Sequence, residues 1–295
     1  MSLEAARHVP KIEVCIDEHS FQIRNSRSGL VENFVAIQNA RLAVRQGEFL
    51  TIVGPSGCGK TTLLDIMAGL TTITDGYIKI DGVESKGPSL SRGIVFQQYA
   101  LLPWRTALAN VEFSLEARGG LSRSERRDRA LDCLSLVGLD GFETRYPHEL
   151  SGGMKQRVAI ARSLVYEPDI LLMDEPFGAL DAQTRELLQD ELVDLWQRTG
   201  RTIVFITHSI DEAVRLGERV AVMRSKPGSI ETLIDIDLPQ TVTGNDVRAH
   251  PRFSKYRNDI WNLLRSEESR PRQAGSTAYP PRHQPIAHSD RKFTQ

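Results

Sequence analysis

The sequence predicts an α/β fold built on a parallel sheet, and three observations predict it. Phe49-Leu50-Thr51-Ile52-Val53, Ile170-Leu171-Leu172-Met173 and Thr202-Ile203-Val204-Phe205-Ile206-Thr207 are apolar runs of strand length, as expected of strands buried on both faces. Helical patterns follow the first two, one closed by Gly69 and the other by Gly200. Between the first run and its helix lies Gly54-Pro55-Ser56-Gly57-Cys58-Gly59-Lys60-Thr61-Thr62, which matches a phosphate-loop pattern at every fixed position.

Each residue type in that loop suits a nucleoside triphosphate. Gly54, Gly57 and Gly59 let backbone N–H groups wrap phosphates without Cβ clashes, and the helix start adds unpaired donors and a positive dipole end. Lys60 is placed to reach the β- and γ-phosphates and Thr61 to ligate magnesium. Cys58, beside Lys60 and near the helix N-terminus, has two readings, a reactive thiol favoured by those charges or a small filler residue.

Composition bounds the rest. A chain of 295 residues with 40% hydrophobic content accommodates one large domain plus an appendix. With 37 Lys and Arg against 38 Asp and Glu there is no basic field, so nucleic acid is not favoured as a partner. Cys15, Cys58 and Cys133 are odd in number and lack metal-ligand spacing, as in a reduced cytosolic chain. The N-terminus has no apolar signal core, and no run approaches the roughly 20 apolar residues that cross a bilayer. Any membrane role is expected to come through a partner.

In chain order, Ile12, Val14 and Ile16, then Phe21 and Ile23, alternate as a strand pair with a turn at Asp17-Glu18-His19-Ser20. Val35-Ala36-Ile37 and Leu42-Ala43-Val44 add two further strands, and Gln46-Gly47 turns into the phosphate-loop strand. Gly76 to Ile80 reads as a strand ending in an Asp81-Gly82 turn. Gly93 to Phe96 is a buried strand running into Gln97. From about 106 to 138 the pattern is helical, with Leu108, Val111 and Leu115 on one face, and Ser122 with Glu125 forms a capping box. This is a helical insertion, placed at about 99–165. Leu150-Ser151-Gly152-Gly153 then opens a helix through Leu164, where Ser151 and the glycines offer unpaired N–H groups as a second anion site.

The run Ile170–Met173 ends in Asp174 and Glu175. A parallel strand whose carboxyl edge opens on a ligand ends this way. Asp174, lying 114 positions after Lys60, suits magnesium, and Glu175 suits the base that polarises the attacking water. Gly178-Ala179-Leu180-Asp181 leads a helix with Leu188, Leu192 and Leu195 on one face. His208 ends the next strand. Such a histidine is more often structural, but ligand edges of open α/β sheets collect functional groups, which favours a role here.

These residues resemble the ATP-binding subunit of ABC transporters, and the resemblance covers roughly residues 11–265. The phosphate loop, Gln97, Leu150-Ser151-Gly152-Gly153-Met154-Lys155-Gln156, Asp174-Glu175, Asp181 and His208 agree in order and spacing. The resemblance implies a phosphate-loop NTPase core with an antiparallel β subdomain and an inserted helical subdomain, and ATP and Mg2+ as cofactors. It implies Lys60, Gln97, Glu175 and His208 as catalytic groups and Thr61, Gln97 and Asp174 as metal-binding ones. Nucleotide contacts are implied for Gly54, Pro55, Ser56, Gly57, Cys58, Gly59, Lys60, Thr61, Thr62, Ser151, Gly152, Gly153 and Asp181. Two copies are expected to pack head to tail, each ATP lying between one chain's phosphate loop and the other's Ser151-Gly152-Gly153. An aromatic residue usually stacks on adenine near where Val31 falls, and Phe34 is the nearest substitute.

Leu101-Leu102-Pro103-Trp104, the stretch Asp174 to Asp181, Pro227-Gly228-Ser229-Ile230 and Leu238-Pro239 are similar to the nitrate, sulfonate and taurine importer branch. That branch implies transmembrane permease subunits as partners, a periplasmic or extracellular solute-binding protein acting through them, and a peripheral place on the cytoplasmic face of the membrane. Residues 1–224 are expected to form the ATPase domain and 225–265 a short extension with a helix from Phe253 to Leu264. From 266 to 295 the chain is polar and rich in proline and arginine, as in a disordered tail. The alternatives are an exporter subunit, since direction of transport is not written here, and a soluble ABC protein of translation or DNA maintenance. A single cassette with 97 positions from Gly54 to Ser151 argues against the soluble types.

Overall fold

The computed structural model describes residues 9–24, 30–238 and 247–268. Its centre is a six-stranded sheet in the order β10-β9-β3-β8-β7-β6, formed by β3 (Phe49–Val53), β6 (Arg92–Val95), β7 (Ile170–Asp174), β8 (Thr202–Ile206), β9 (Arg219–Arg224) and β10 (Ser229–Asp235). All neighbours are parallel except β9 and β10. β3, β7 and β8 are buried at every position because both faces are covered. Leu50, Ile52, Val204 and Ile206 enter a core with α1 (Lys60–Ala68). Phe49, Ile203 and Phe205 enter the opposite core, where the Phe49 ring meets Trp196 edge-on at 5.7 Å.

A second, antiparallel sheet has the order β2-β1-β4-β5, from β1 (Ile12–Arg24), β2 (Val31–Val44), β4 (Asp75–Ile80) and β5 (Val83–Glu84). Here two expectations are corrected. Residues 12–24 form one continuous strand, with no turn at 17–20. The break in alternation comes from register shifts, between Ile16 and Glu18 against β4 and between His19 and Ser20 against β2. A bulge inserts a residue and changes the phase of the pattern, which in the sequence looks like a turn. The segments at 35–37 and 42–44 likewise belong to the single strand β2. The Asp81-Gly82 turn is present, with both residues at positive φ (51° and 78°), as a tight turn between twisted strands requires.

Three helices pack on one another beside this framework: α2 (Ala107–Arg118), α3 (Arg123–Leu136) and α4 (Gly152–Leu164). Leu108, Val111 and Leu115 are buried, and the Ser122–Glu125 capping box opens α3. α5 (Ala182–Thr199) closes at Gly200 in the left-handed conformation, and α6 (Ile210–Leu216) follows β8. The last helix, α7 (Pro251–Glu268), lies against α6 and β9 through Phe253 and Ile260. It runs four residues past the expected end at Leu264. The expectations for Pro239 and for 269–295 fall outside the described residues.

Candidate functional site

The parallel strands place the polar residues that follow them at one edge. β3 runs into the phosphate loop, β6 into Gln97, β7 into Asp174-Glu175 and β8 into Thr207-His208. In the loop, Gly57 and Gly59 hold φ at 76° and 93°, a region that side chains with a Cβ avoid. Lys60 is 7% exposed, and its ammonium donates to the carbonyls of Gly54 (2.8 Å) and Pro55 (3.0 Å).

Glu175 sits just beyond β7 with φ at +45°, a strained conformation for a residue of this type. Its amide donates to Ile206 O at 3.0 Å, so the kink is tied to β8. Gln97 Nε2 donates to Glu175 Oε2 at 3.2 Å, and His208 Nδ1 lies 3.2 Å from the same oxygen. Residues 78 and 33 positions away thus converge on one carboxylate oxygen. Asp174 is buried, and burial raises its carboxyl above the usual range, partly opposed by a hydrogen bond from Thr61.

A cleft of about 420 Å³ opens over the loop, lined by Phe34, Ala36, Ser56, Gly57, Gly59, Lys60, Thr61, Thr62, Gln97 and Glu175. The candidate aromatic in the cleft is Phe34; Val31 is not among its lining residues and is 60% exposed. Ser151, Gly152, Gly153 and Asp181 do not line the cleft either. Ser151 caps α4, its hydroxyl accepting from Met154 N at 3.3 Å. Asp181 caps α5 in the same way through Thr184 N at 3.0 Å, a bond that also holds its carboxyl below the ordinary range.

The reactive-thiol reading of Cys58 is overturned. The side chain is buried, and burial raises the thiol pKa despite the opposing charge of Lys60. Lys60 does favour the thiolate, its ammonium lying 3.9 Å from Cys58 Sγ, but the loss of solvation outweighs it.

Sequence reasoning missed what holds the loop from behind. A Cβ on Gly228 would lie 2.1 Å from Cys58 O and 2.8 Å from Ala36 O. The Gly228 backbone bonds to β2, its amide donating to Ala36 O and its carbonyl accepting from Gln38 N. A Cβ on Gly54 would meet Met223 O at 2.8 Å. The connection between β9 and β10 is therefore wedged against the phosphate loop. In the sequence Pro227-Gly228 stands out only as part of the similarity to the importer branch, with nothing to place it against the loop.

A parallel sheet whose carboxyl edge joins a glycine-rich phosphate loop to a carboxylate pair and a histidine defines a phosphate-loop ATPase. The chain belongs to the ABC transporter family of ATP-binding proteins: the family described as "ABC transporter" matches residues 37–178. It is 52% identical over 232 residues to an uncharacterized ABC transporter ATP-binding protein of Methanocaldococcus jannaschii, covering 79% of this chain and 85% of that one. It is 49% identical over 245 residues to a nitrate import ATP-binding protein of Synechocystis, covering 81% and 92%. A taurine import ATP-binding protein of Rhizobium johnstonii is 45% identical over 237 residues, covering 79% and 90%. Among solved structures, a dimeric ATP-binding cassette in a post-hydrolysis state with ADP and Pi matches with a TM-score of 0.67 and 37% identity, covering 76% and 98%.

Proposed function

We propose that this ATPase powers import of a small anionic solute, of the nitrate, sulfonate or taurine type, through a separate transmembrane permease. The observation that carries the ATPase site is the convergence of Gln97 and His208 on Glu175 Oε2 at the rim of the phosphate-loop cleft. Holding one oxygen with two partners fixes the plane of the carboxylate, so that Glu175 can orient the attacking water and take up its proton. The Lys60 ammonium exchanges the Gly54 and Pro55 carbonyls for β- and γ-phosphate oxygens. Phe34 offers a face to the base.

The donors present fit magnesium: a carboxylate (Asp174) in contact with a hydroxyl (Thr61), with the Gln97 amide oxygen at the same cleft. Among the described residues no group of three or more His, Cys, Asp or Glu could hold a metal. When bound there, the ion neutralises charge on the β- and γ-oxygens.

Ser151, Gly152 and Gly153 lie outside their own chain's cleft yet form a helix start with unpaired N–H groups, so they serve the nucleotide of a second copy in a head-to-tail dimer. Among the described residues no helix is long and apolar enough to cross a membrane. The exposed Trp104, following Leu101-Leu102-Pro103, faces the permease at the cytoplasmic side, and a periplasmic or extracellular solute-binding protein delivers the solute to that permease. The ATPase domain of residues 1–224 has its helical subdomain at about 99–165, and the extension of 225–265 is built onto it, adding β10 to the central sheet and α7 to its side. Import is favoured over export by the similarity to the nitrate and taurine import proteins.

Uptake tests the reading. A strain lacking this protein is expected to lose growth on taurine or an alkanesulfonate as sole sulfur source, or on nitrate as sole nitrogen source, and to regain it with the wild-type chain but not with Glu175→Gln. Unchanged uptake of all three solutes would refute the import assignment.

A further inference from the structure

His208 is 64% exposed and lies in the three-residue connection between β8 and α6. Behind it lies a buried polar cluster. Thr207, Gln189 and Glu212 are 1%, 2% and 7% exposed. Glu212 Oε1 accepts from Gln189 Nε2 at 2.7 Å, and Oε2 accepts from the Thr207 hydroxyl. That hydroxyl in turn accepts from Ser209 N at 3.0 Å, and Ser209 Oγ accepts from Glu212 N at 3.3 Å. Thr207 N donates to Ile52 O at 3.1 Å, tying the segment to the strand that leads into the phosphate loop. Gln189 is itself oriented, since its Oε1 accepts from Arg215 at 2.8 Å.

We infer that Glu212 is a positioning residue for hydrolysis, which locks Thr207–Ser209 so that the His208 ring stays on the Glu175 carboxylate. The inference rests on the proposed roles of Glu175 and His208. A carboxylate is needed because it only accepts: both the Gln189 amide and the Thr207 hydroxyl point donors at it. An amide at 212 must turn its NH2 toward one of them. Gln189 cannot flip to receive it without losing Arg215, so the NH2 falls on Thr207 and the hydroxyl's donor is orphaned in a buried site.

The test is steady-state ATP hydrolysis by the full chain. Glu212→Gln is expected to lower kcat by about ten- to a hundredfold, less than the 10²–10⁴ of a lost general base, with KM changed less than about twofold. In a His208→Ala background it is expected to cost nothing further, because it acts through that ring. Thr207→Val is expected to repeat the loss and Thr207→Ser, which keeps the hydroxyl, to restore activity. This pair decides the matter if Glu212→Gln fails to fold. Wild-type kcat in Glu212→Gln or Thr207→Val, or losses that multiply with His208→Ala, would overturn the inference. Full activity in His208→Ala or Glu175→Gln would instead overturn the site reading on which it rests.

Discussion

At the scale of single residues, the site sets burial against chemistry. Glu175→Gln keeps the shape of the side chain and removes its basicity, so turnover is expected to fall by roughly 10²–10⁴ with ATP affinity retained. Turnover within a few-fold of wild type would remove Glu175 from that role. Asp174 carries a stability cost. Its carboxyl pKa is raised by burial, so across the window above the ordinary value of 3.8 the unfolded chain binds fewer protons than the folded one. Stability is therefore lost as pH rises through that window and stays lost at neutral pH. Asp174→Asn is expected to melt higher than wild type at pH 7 without nucleotide, to lose that advantage near pH 3, and to hydrolyse ATP poorly; differential scanning calorimetry at the two pH values checks it. Cys58 obeys the same physics. Alkylation by iodoacetamide at pH 8 is expected to label the half-buried Cys15 first, while Cys58 and Cys133, the latter pushed up to about 11, stay slow.

At the scale of elements, the phosphate loop is shaped as much by what lies behind it as by its own glycines. The turn between β9 and β10 approaches so closely that any side chain at 228 would enter the Cys58 and Ala36 carbonyls. Gly228→Ala is thus expected to displace the loop and weaken ATP binding by at least about tenfold, given that a 1 Å misplacement at a site can cost roughly 10²-fold. Isothermal titration with a non-hydrolysable ATP analogue measures it, and unchanged affinity would show that the loop holds its shape alone. Strand phase also belongs to this scale. The bulge at Asp17 in β1, together with the extra residue Ala36 in β2, shifts the phase between Ile16 and Phe21, and a strict period-two reading reports one strand as two.

At the scale of the whole molecule, the proposed shared site predicts complementation. Ser151→Asp keeps a good helix cap and sets a negative charge where the partner's γ-phosphate would lie. It is a cleaner probe than a change at Gly153, where a Cβ would lie 2.7 Å from Thr184 Cγ2 and disturb the packing of α4 on α5. Homodimers of Ser151→Asp or of Lys60→Ala are expected to be inactive. In a mixed dimer both defects fall at one site and leave the other intact, so an equal mixture recovers roughly a quarter of wild-type activity. No recovery on mixing would argue against sharing between chains. By itself the sequence determined four strands of the parallel sheet, though not β9, together with the phosphate loop, the helix starts at Ser122 and Ser151, and the residues worth watching at 97, 174, 175 and 208. Those follow from local chemistry: apolar runs, glycine conformations and side-chain caps act within a few residues and can be read in one dimension. Only the tertiary structure decided that Gln97 and His208 share one oxygen of Glu175, that Gly228 abuts the loop from about 170 residues away, that Cys58 is buried, and that Glu212 stands behind the histidine. Burial and convergence are sums over neighbours distant in the chain, and no local pattern carries them.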